Sequence, residues 1–304
     1  MDRRDRSLID RRAMLGLTAA TVTGTLAACS RAVPAASSSA AEKRRFENKV
    51  VIVTGATSGI GRAAALAFAA EGGKVGFCGR RENLGHDVER EIRSKGGEAT
   101  YVRADVRVEA DVKAFVDKIA TRYGGLHVAF NNAGITLEKP LHEYNPQEWD
   151  DVQNTNLRGV FLAMKYEIPY MLVGGGGNIV VTSSSNAIAT TDKRSAYTAS
   201  KRGLVGLVQS AALDYAQKNI RVNALVPGTT DTALVRRSAG MENVPDAVWE
   251  IAARQWAKSH VPGLERMATP EEIAAFALVL ASDDHPYMTG SQMVIDGGKT
   301  AHAG

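Results

Sequence analysis

Cysteine, long basic runs and long apolar runs are all scarce in this sequence of 304 residues, and each scarcity excludes a class of protein. Its two cysteines, Cys29 and Cys78, are too few for a disulfide framework. The most basic stretch, "EKRRFENK" at 42–49, is short and the formal net charge is only +4, which leaves no electrostatic footprint for nucleic acid. With 44% hydrophobic and 23% charged residues, the chain has the composition of a globular domain with a full core.

The N-terminal segment has the order of an export signal, in which a charged start is followed by an apolar middle and small residues. Arg11 and Arg12 precede the uncharged residues 13–28, which contain four threonines and two glycines and lead into "LAAC". The paired arginines resemble a twin-arginine signal, and "LAAC" resembles a bacterial lipobox whose cysteine, Cys29, receives lipid after cleavage. The segment therefore predicts an exported bacterial lipoprotein that faces the periplasm or the cell exterior.

Two other interpretations of this segment stay open. An uncleaved membrane anchor needs about 20 strongly apolar residues, and this segment is shorter and weaker. A start codon placed too far upstream would add an arginine-rich extension to a cytoplasmic protein. We predict a signal peptide at 1–28, a flexible tether at 29–45 and a single catalytic domain at 46–304, because "SRAVPAASSSAA" at 30–41 has the composition of a linker.

Apolar runs of strand length alternate with helical periods from Lys49 onward. The first unit, "KVVIVTGATSGIGRAAALAFAAEGGKVGFCGRR", is a strand, a glycine turn, an alanine-rich helix and a second strand. Further strands are predicted at "ATYVRAD", "GLHVAFNNAG", "NIVVTSSS", "IRVNALVPG" and "SQMVIDGG". Buried strands separated by helices predict an α/β fold with a doubly wound, Rossmann-type parallel sheet that has helices on both faces.

The glycine turn predicts a nucleotide site. Gly55, Gly59 and Gly61 in "TGATSGIG" lie between the first strand and its helix, where missing side chains let backbone N–H groups approach a pyrophosphate. A second pattern is Tyr197 and Lys201 in "SAYTASKRG", which share one face if the segment is helical. Either pattern alone has an ordinary structural explanation, a tight turn or an aromatic packed under a lysine stem.

Together with "NNAG" at 131–134, these two motifs resemble the short-chain dehydrogenase/reductase family in type and order. The resemblance runs from about residue 46 to about residue 301. It implies an oxidoreductase that moves a hydride between a nicotinamide dinucleotide and a secondary alcohol or ketone. No metal is expected. A homodimer or homotetramer is expected, and the only expected membrane contact is the lipid anchor.

The resemblance also implies the catalytic residues. Tyr197 becomes the general acid/base, and Lys201 becomes the cation that lowers the phenol pKa and donates to the ribose. Of the three serines in "VTSSSN", Ser184 stands at the family's distance before the tyrosine and would polarise the carbonyl, while Ser183 and Ser185 remain alternatives. Asn156 matches the helix asparagine that holds a water in the proton path.

Cofactor choice depends on the end of the second strand, "CGRRE". Gly79 stands where NAD-dependent members carry aspartate, and Arg80 and Arg81 follow it, which favours NADP with NAD as the alternative. Ser58 departs from this pattern, since many NADP-preferring members carry a basic residue there. The cofactor-binding residues implied by the resemblance are Gly55, Ser58, Gly59, Ile60, Gly61, Arg80, Arg81, Asp105, Val106, Asn132, Ala133, Gly134, Tyr197, Lys201, Pro227, Gly228, Thr230 and Thr232.

The loop "PGTTDTAL" departs from the family twice, with Thr230 in place of an aliphatic residue and Ala233 in place of proline. Substrate contacts are expected from 185–194 and from a lid at 233–265, which contains Arg236, Arg237, Met241, Trp249 and Trp256.

Two other functions compete with that of an oxidoreductase. An epimerase or dehydratase would have a differently spaced glycine turn. A nucleotide-binding redox sensor would not need the serine, tyrosine, lysine and asparagine set.

Overall fold

The computed structural model describes residues 44–301, which form one α/β domain. The signal peptide predicted at 1–28 and nearly all of the tether predicted at 29–45 lie outside the described residues. Within 44–301, no helix is long and apolar enough to cross a membrane. Over the same range, the His, Cys, Asp and Glu side chains form no group of three that could hold a metal ion.

Seven strands form one sheet, and every neighbouring pair is parallel. The spatial order is β3-β2-β1-β4-β5-β6-β7. All seven strands fall on the predicted apolar runs, so the doubly wound, Rossmann-type fold expected from the sequence is confirmed. The strands are β1 Val50–Thr54, β2 Lys74–Gly79, β3 Glu98–Arg103, β4 Val128–Asn131, β5 Gly177–Thr182, β6 Ile220–Pro227 and β7 Gln292–Ile295.

Nine helices occur within the described residues, and they cover both faces of the sheet. One apolar core packs the sheet against α3, α5 and α6, and the other packs it against α1, α2 and α9. The helices are α1 Gly59–Ala70, α2 Glu82–Ser94, α3 Glu109–Tyr123, α4 Pro146–Gln153, α5 Gly159–Val173, α6 Ser195–Tyr215, α7 Ala233–Ser238, α8 Asp246–His260 and α9 Pro270–Ala281.

Local sequence explains where several helices begin. Asn145 and Thr269 each cap a helix with the glutamate three residues later, and each is followed by a proline, whose fixed φ suits the first helical position. Cys78 is buried in β2, and burial raises the pKa of its thiol to about 12, so the side chain serves as core packing.

The strand order reverses beside β1, because β2 and β3 lie on one side of it and β4 to β7 on the other. In open parallel sheets, ligands bind outside the carboxyl ends of the strands at such a switch point. The glycine turn follows β1 and "NNAG" follows β4, so both predicted motifs stand at this edge.

Candidate active site

A cavity of about 960 Å³ opens along the carboxyl edge of the sheet. This volume can hold part of a dinucleotide together with a small substrate. Of the catalytic and cofactor-binding residues predicted from the sequence, Gly61 and Asn156 lie behind the cavity wall, and the others line it. The lining members are Gly55, Ser58, Gly59, Ile60, Arg80, Arg81, Asp105, Val106, Asn132, Ala133, Gly134, Ser184, Tyr197, Lys201, Pro227, Gly228, Thr230 and Thr232.

The glycine turn has no room for side chains. Gly55 and Gly59 have φ of +71° and +56°, the left-handed region that favours glycine. A Cβ on Gly61 would lie 2.5 Å from the carbonyl oxygen of Gly55, and one on Gly55 would lie 2.7 Å from Ala133 Cα. Ser58 begins α1 without capping it through its side chain. The first backbone N–H groups of α1, a helix of twelve residues, therefore lie at the cavity wall and are not capped by a side chain. An anion bound at this end of the helix would be stabilised.

The turn after β4 is locked against β1. Thr54 Oγ1 accepts from the backbone N–H groups of Asn132 and Ala133 at 3.0 and 3.1 Å. A Cβ on Gly134 would lie 3.3 Å from Asn156 Oδ1 and 3.7 Å from Lys201 Nζ. Glycine at 134 thus keeps the space beside the lysine open.

Tyr197 and Lys201 share a face of α6, as their spacing predicts. Lys201 Nζ lies 5.6 Å from the centroid of the Tyr197 ring and donates to the Thr182 carbonyl oxygen at 2.7 Å. The lysine is only 3% exposed. Ser184, two residues after β5, lines the same cavity, and a hydrogen bond from its side chain favours a lower Tyr197 pKa.

Burial dominates the protonation of this pair. It raises the Tyr197 pKa above its ordinary value, and the opposing effects of Ser184 and Arg194 are smaller. Burial also lowers the Lys201 pKa to about 8. The sequence analysis expected the lysine, together with the positive nicotinamide, to lower the phenol pKa. In the protein alone, burial instead raises it.

The three candidate serines have different partners. Ser183 Oγ donates to the Lys201 carbonyl oxygen at 3.0 Å, so its hydroxyl is engaged in the core. Ser184 Oγ accepts from Asn186 N–H at 3.2 Å, which leaves its proton free to donate. Ser185 is buried in a short helical turn. Ser184 is therefore the serine that acts on the phenol.

Asn156 stands in a single π-helical turn, Asn154–Arg158, between α4 and α5. Its side chain donates to the Ile135 carbonyl oxygen at 2.9 Å and to Ser200 Oγ at 3.0 Å, and accepts from Ile135 N–H at 2.8 Å. The amide is completely buried. π-Turns inside helices often mark functional sites, and this one places the amide against the "NNAG" turn and α6.

Arginines surround the far end of the glycine turn. Arg81 donates to Thr57 Oγ1 at 2.9 Å and to Ser58 Oγ at 2.6 Å. Arg80 is exposed, and its Nη1 lies 3.9 Å from Asp105 Oδ2. The Asp105 carboxylate is already held by Arg107 at 2.7 Å. This end of the cavity is therefore positive, with Arg80 the most solvent-accessible donor.

The loop after β6 is ordered despite its two departures from the family pattern. A Cβ on Gly228 would lie 2.7 Å from Asp296 Cα. Thr230 is buried, and its hydroxyl donates to the Gly228 carbonyl oxygen at 3.3 Å. Thr232 Oγ1 accepts from Val235 N–H at 3.4 Å and so begins α7. Thr230, which replaces the family's aliphatic residue, thus forms the hydrogen bond of its hydroxyl within the loop.

The lid consists of α7 and α8, and it separates the two arginines that the sequence analysis grouped together. Arg236 faces away from the cavity, donates to Asp246 at 2.8 Å and lies 5.2 Å from the Trp249 ring centroid. Arg237 lines the cavity, and its charge lowers the Arg81 pKa after the larger effect of desolvation. The sequence analysis expected Arg237 at the substrate, whereas it lies beside the cofactor-binding arginine.

Glu138 and Lys299 are two of the cavity residues that the sequence analysis missed. Glu138 Oε1 accepts from Arg194, just before α6, and from Ser238, the last residue of α7. It therefore ties the lid to the loop before the catalytic helix. Lys299, after β7, lies 5.7 Å from the Trp256 ring centroid. Neither belongs to a sequence motif, and both act through contacts between distant loops.

Known proteins resemble the chain over most of its length. A family model described as Enoyl-(Acyl carrier protein) reductase matches residues 55–300. Cyclohexanol dehydrogenase of Acinetobacter sp. is 38% identical over 258 residues, 84% of this chain and 97% of that protein. 3beta-Hydroxysteroid dehydrogenase of Mediterraneibacter gnavus is 38% identical over 270 residues, 85% and 97% of the two chains. The crystal structure of L-sorbose reductase from Gluconobacter frateurii complexed with NADPH and L-sorbose has a TM-score of 0.81 at 28% identity, covering 86% of this chain and 100% of that one.

The parallel sheet, the glycine turn at its switch point and the residues around Tyr197 define a class, the dinucleotide-binding α/β oxidoreductases. Within that class, the chain belongs to the short-chain dehydrogenase/reductase family, as its motifs predicted. It is an NAD(P)-dependent enzyme that acts on CH–OH groups.

Proposed function

We propose that the protein is an NADP-dependent oxidoreductase that interconverts a secondary alcohol and a ketone, with Tyr197 as general acid/base. The observation that carries this proposal is that Ser184, Tyr197 and Lys201 reach the same cavity as the glycine turn. The carbon that reacts and the dinucleotide would therefore lie in the same cavity. A redox sensor that only binds a nucleotide would need the glycine turn but not the serine, tyrosine and lysine.

The proton moves between Tyr197 Oη and the substrate oxygen. In reduction the phenol donates its proton to the oxygen of the former carbonyl, and in oxidation the phenolate accepts the alcohol proton. Ser184 Oγ, with a free proton, holds the same oxygen and fixes its position. When bound, the nicotinamide supplies or accepts the hydride. Lys201 lies 5.6 Å from the centroid of the phenol ring, and Asn156 joins the "NNAG" turn to α6 through Ile135 and Ser200.

The dinucleotide fits the residues present. The turn would be filled by a Cβ at Gly55 or Gly61, so glycine there keeps the approach to the backbone open. The α1 N–H groups that no side chain caps, beginning after Ser58, suit a pyrophosphate. We infer that these residues hold the phosphates and that the loop from Pro227 to Thr232 holds the nicotinamide end.

Three arginines support NADP over NAD. Arg80, Arg81 and Arg237 line one end of the cavity, where a 2′-phosphate would gain charge-assisted hydrogen bonds. No acid stands at the end of β2 to repel that phosphate, and a Cβ on Gly79 would lie 2.6 Å from Thr57 Cγ2. Arg81 donates to Ser58, which brings a cation to the position where this sequence lacks one. The NADPH complex of the sorbose reductase agrees with this preference.

The test compares Arg80→Ala and Arg237→Ala with Arg236→Ala as matched control. Each of the first two should weaken NADPH binding about tenfold, roughly 1.4 kcal/mol, with little effect on NADH. Arg236→Ala removes the same charge from the same helix, but outside the cavity, and should leave both affinities unchanged. Dissociation constants from nucleotide fluorescence check this. Equal losses for NADPH and NADH would favour NAD.

We also propose that the mature protein begins at a lipid-modified Cys29 and is anchored in the membrane after export, and that it is a homodimer or homotetramer. The paired Arg11 and Arg12 and the "LAAC" sequence support export. Mass spectrometry of the native N-terminus and light scattering of the detergent-solubilised protein test the two points. An intact, unmodified N-terminus on a soluble cytoplasmic chain would contradict the first.

A further inference from the structure

Lys299 enters the substrate side of the cavity from a tight turn after β7. The Asp296 carboxylate accepts from Gly298 N–H at 3.0 Å, from Thr300 N–H at 2.8 Å and from Thr300 Oγ1 at 2.6 Å. The Asp296 carboxylate thus stabilises the turn in which it stands. The lysine between these residues has a fixed backbone from which its side chain reaches the cavity.

The ammonium of Lys299 lies between the lid and the loop predicted to hold the nicotinamide. Its Nζ stands 5.7 Å from the centroid of the Trp256 ring in α8 and donates to Thr229 Oγ1 at 3.3 Å. All three residues line the same cavity as Tyr197. A ligand group bound by Lys299 would therefore lie in the same cavity as Tyr197, the proposed general acid/base.

No acid neutralises this ammonium within residues 44–301, where Lys299 takes part in no ion pair. The carboxylate of Asp296 is engaged by the turn, and that of Glu138 by Arg194 and Ser238. Desolvation, then the charge of Arg194, lower the Lys299 pKa, while Asp296 raises it. A cation withdrawn from water without a partner is costly, and an anion beside it removes that cost.

Besides these charged groups, apolar and aromatic side chains line the cavity. Met241, Trp249, Trp256 and Met267 line it, and Trp249 has its indole N–H engaged by Asp231 at 2.8 Å. Asp192 and His260 also face the cavity, and Asp192 is exposed to solvent. A ligand suited to these walls has an apolar body and one anionic group.

We propose that Lys299 binds a carboxylate of the substrate, so that the enzyme acts on hydroxy acids or keto acids with an apolar body. The inference rests on the proposed function, because the carbon that reacts must reach Tyr197 in the same cavity.

Unreactive ring compounds test the carboxylate site apart from catalysis. The full chain, saturated with NADP⁺ or NAD⁺, is titrated by calorimetry with cyclohexanecarboxylate and with the neutral cyclohexanecarboxamide. The wild type should bind the acid at least about tenfold more tightly, as expected for a charge-assisted hydrogen bond. Lys299→Met should abolish this preference and Lys299→Arg should retain it, which separates loss of charge from loss of fold.

Lys258→Met is the matched control, since it removes a lysine from the last turn of α8 outside the cavity. It should leave the preference for the acid intact. Equal affinity of the wild type for acid and amide, or an undiminished preference in Lys299→Met, would overturn the proposal.

Turnover of 4-oxocyclohexanecarboxylate and of its methyl ester provides the second readout. The wild type should prefer the acid, and Lys299→Met should lose that preference through KM about tenfold, with kcat little changed. If binding of the acid depends on Lys299 but the wild type reduces no ketone, the carboxylate site stands and the proposed function fails. If both ketones are reduced equally well, the proposed function stands and the carboxylate site fails.

Discussion

The two walls of the cavity are built in opposite ways. The wall at the sheet edge carries Ser184 and Lys201, and Asn156 lies directly behind it. These residues are 8%, 3% and 0% exposed, and each side chain is hydrogen-bonded to a backbone group. In the lid, α7 has no buried residue and α8 has only Trp249 and Ala257. The comparison teaches that the residues proposed for proton transfer are built into the core of the fold, whereas the lid expected to contact the substrate is a surface element with little packing of its own.

The largest expected effect is on the sheet-edge wall. Tyr197→Phe deletes one hydroxyl and should lower kcat by about 10²- to 10⁴-fold, because that hydroxyl is the proposed general acid/base. Dinucleotide binding, followed by fluorescence, should survive. Tyr287→Phe, at a fully exposed tyrosine, is the control and should change neither kcat nor dinucleotide binding. Activity within tenfold of wild type would mean that a different group transfers the proton.

A smaller effect is expected where the two walls meet. Glu138→Gln weakens the bonds to Arg194 and Ser238 that tie the lid to the loop before α6. Because a partly exposed ion pair contributes at most about 1 kcal/mol, we expect KM for the substrate to rise up to about fivefold while kcat changes little. Glu143→Gln, an exposed acid on the same loop, is the control. A fall in kcat without a change in KM would assign Glu138 to the chemical step.

A further prediction concerns stability rather than turnover, and it lies in the core beneath the sheet-edge wall. Glu167 in α5 is completely buried and accepts from Asn131 Nδ2 at 2.8 Å. Burial raises its pKa from the ordinary value of 4.5 to about 8. The folded protein therefore holds a proton that the unfolded chain releases between these pH values, and the free energy of unfolding falls as pH rises across that window.

Glu167→Gln removes this proton while keeping an oxygen for Asn131. The variant should lose a slope of at most about 1.4 kcal/mol per pH unit between pH 4.5 and about 8, measured by urea unfolding at several pH values. Glu250→Gln, at an exposed position on α8, should keep the wild-type slope. Identical slopes in all three proteins would show that Glu167 is ionised in the folded state.

The sequence predicts the sheet-edge wall much better than the lid, for a physical reason. Gly55 to Gly61 and the pair Tyr197 and Lys201 are local patterns, whose spacing alone determines a turn or a helix face. Glu138, Arg237 and Lys299 act on partners far away in the chain, and no period in the sequence encodes those encounters. The prediction grouped Arg237 with Arg236 because they are adjacent, although consecutive helical residues point about 100° apart.

The burial of Tyr197 also has a consequence for the direction in which the enzyme works. A phenol whose pKa is raised carries its proton at neutral pH, so it is ready to act as an acid, and ketone reduction needs no prior ionisation. Alcohol oxidation needs the phenolate and must wait for that proton to leave. Oxidation should therefore speed up as the medium becomes alkaline and reduction should slow, with both curves bending at the phenol pKa.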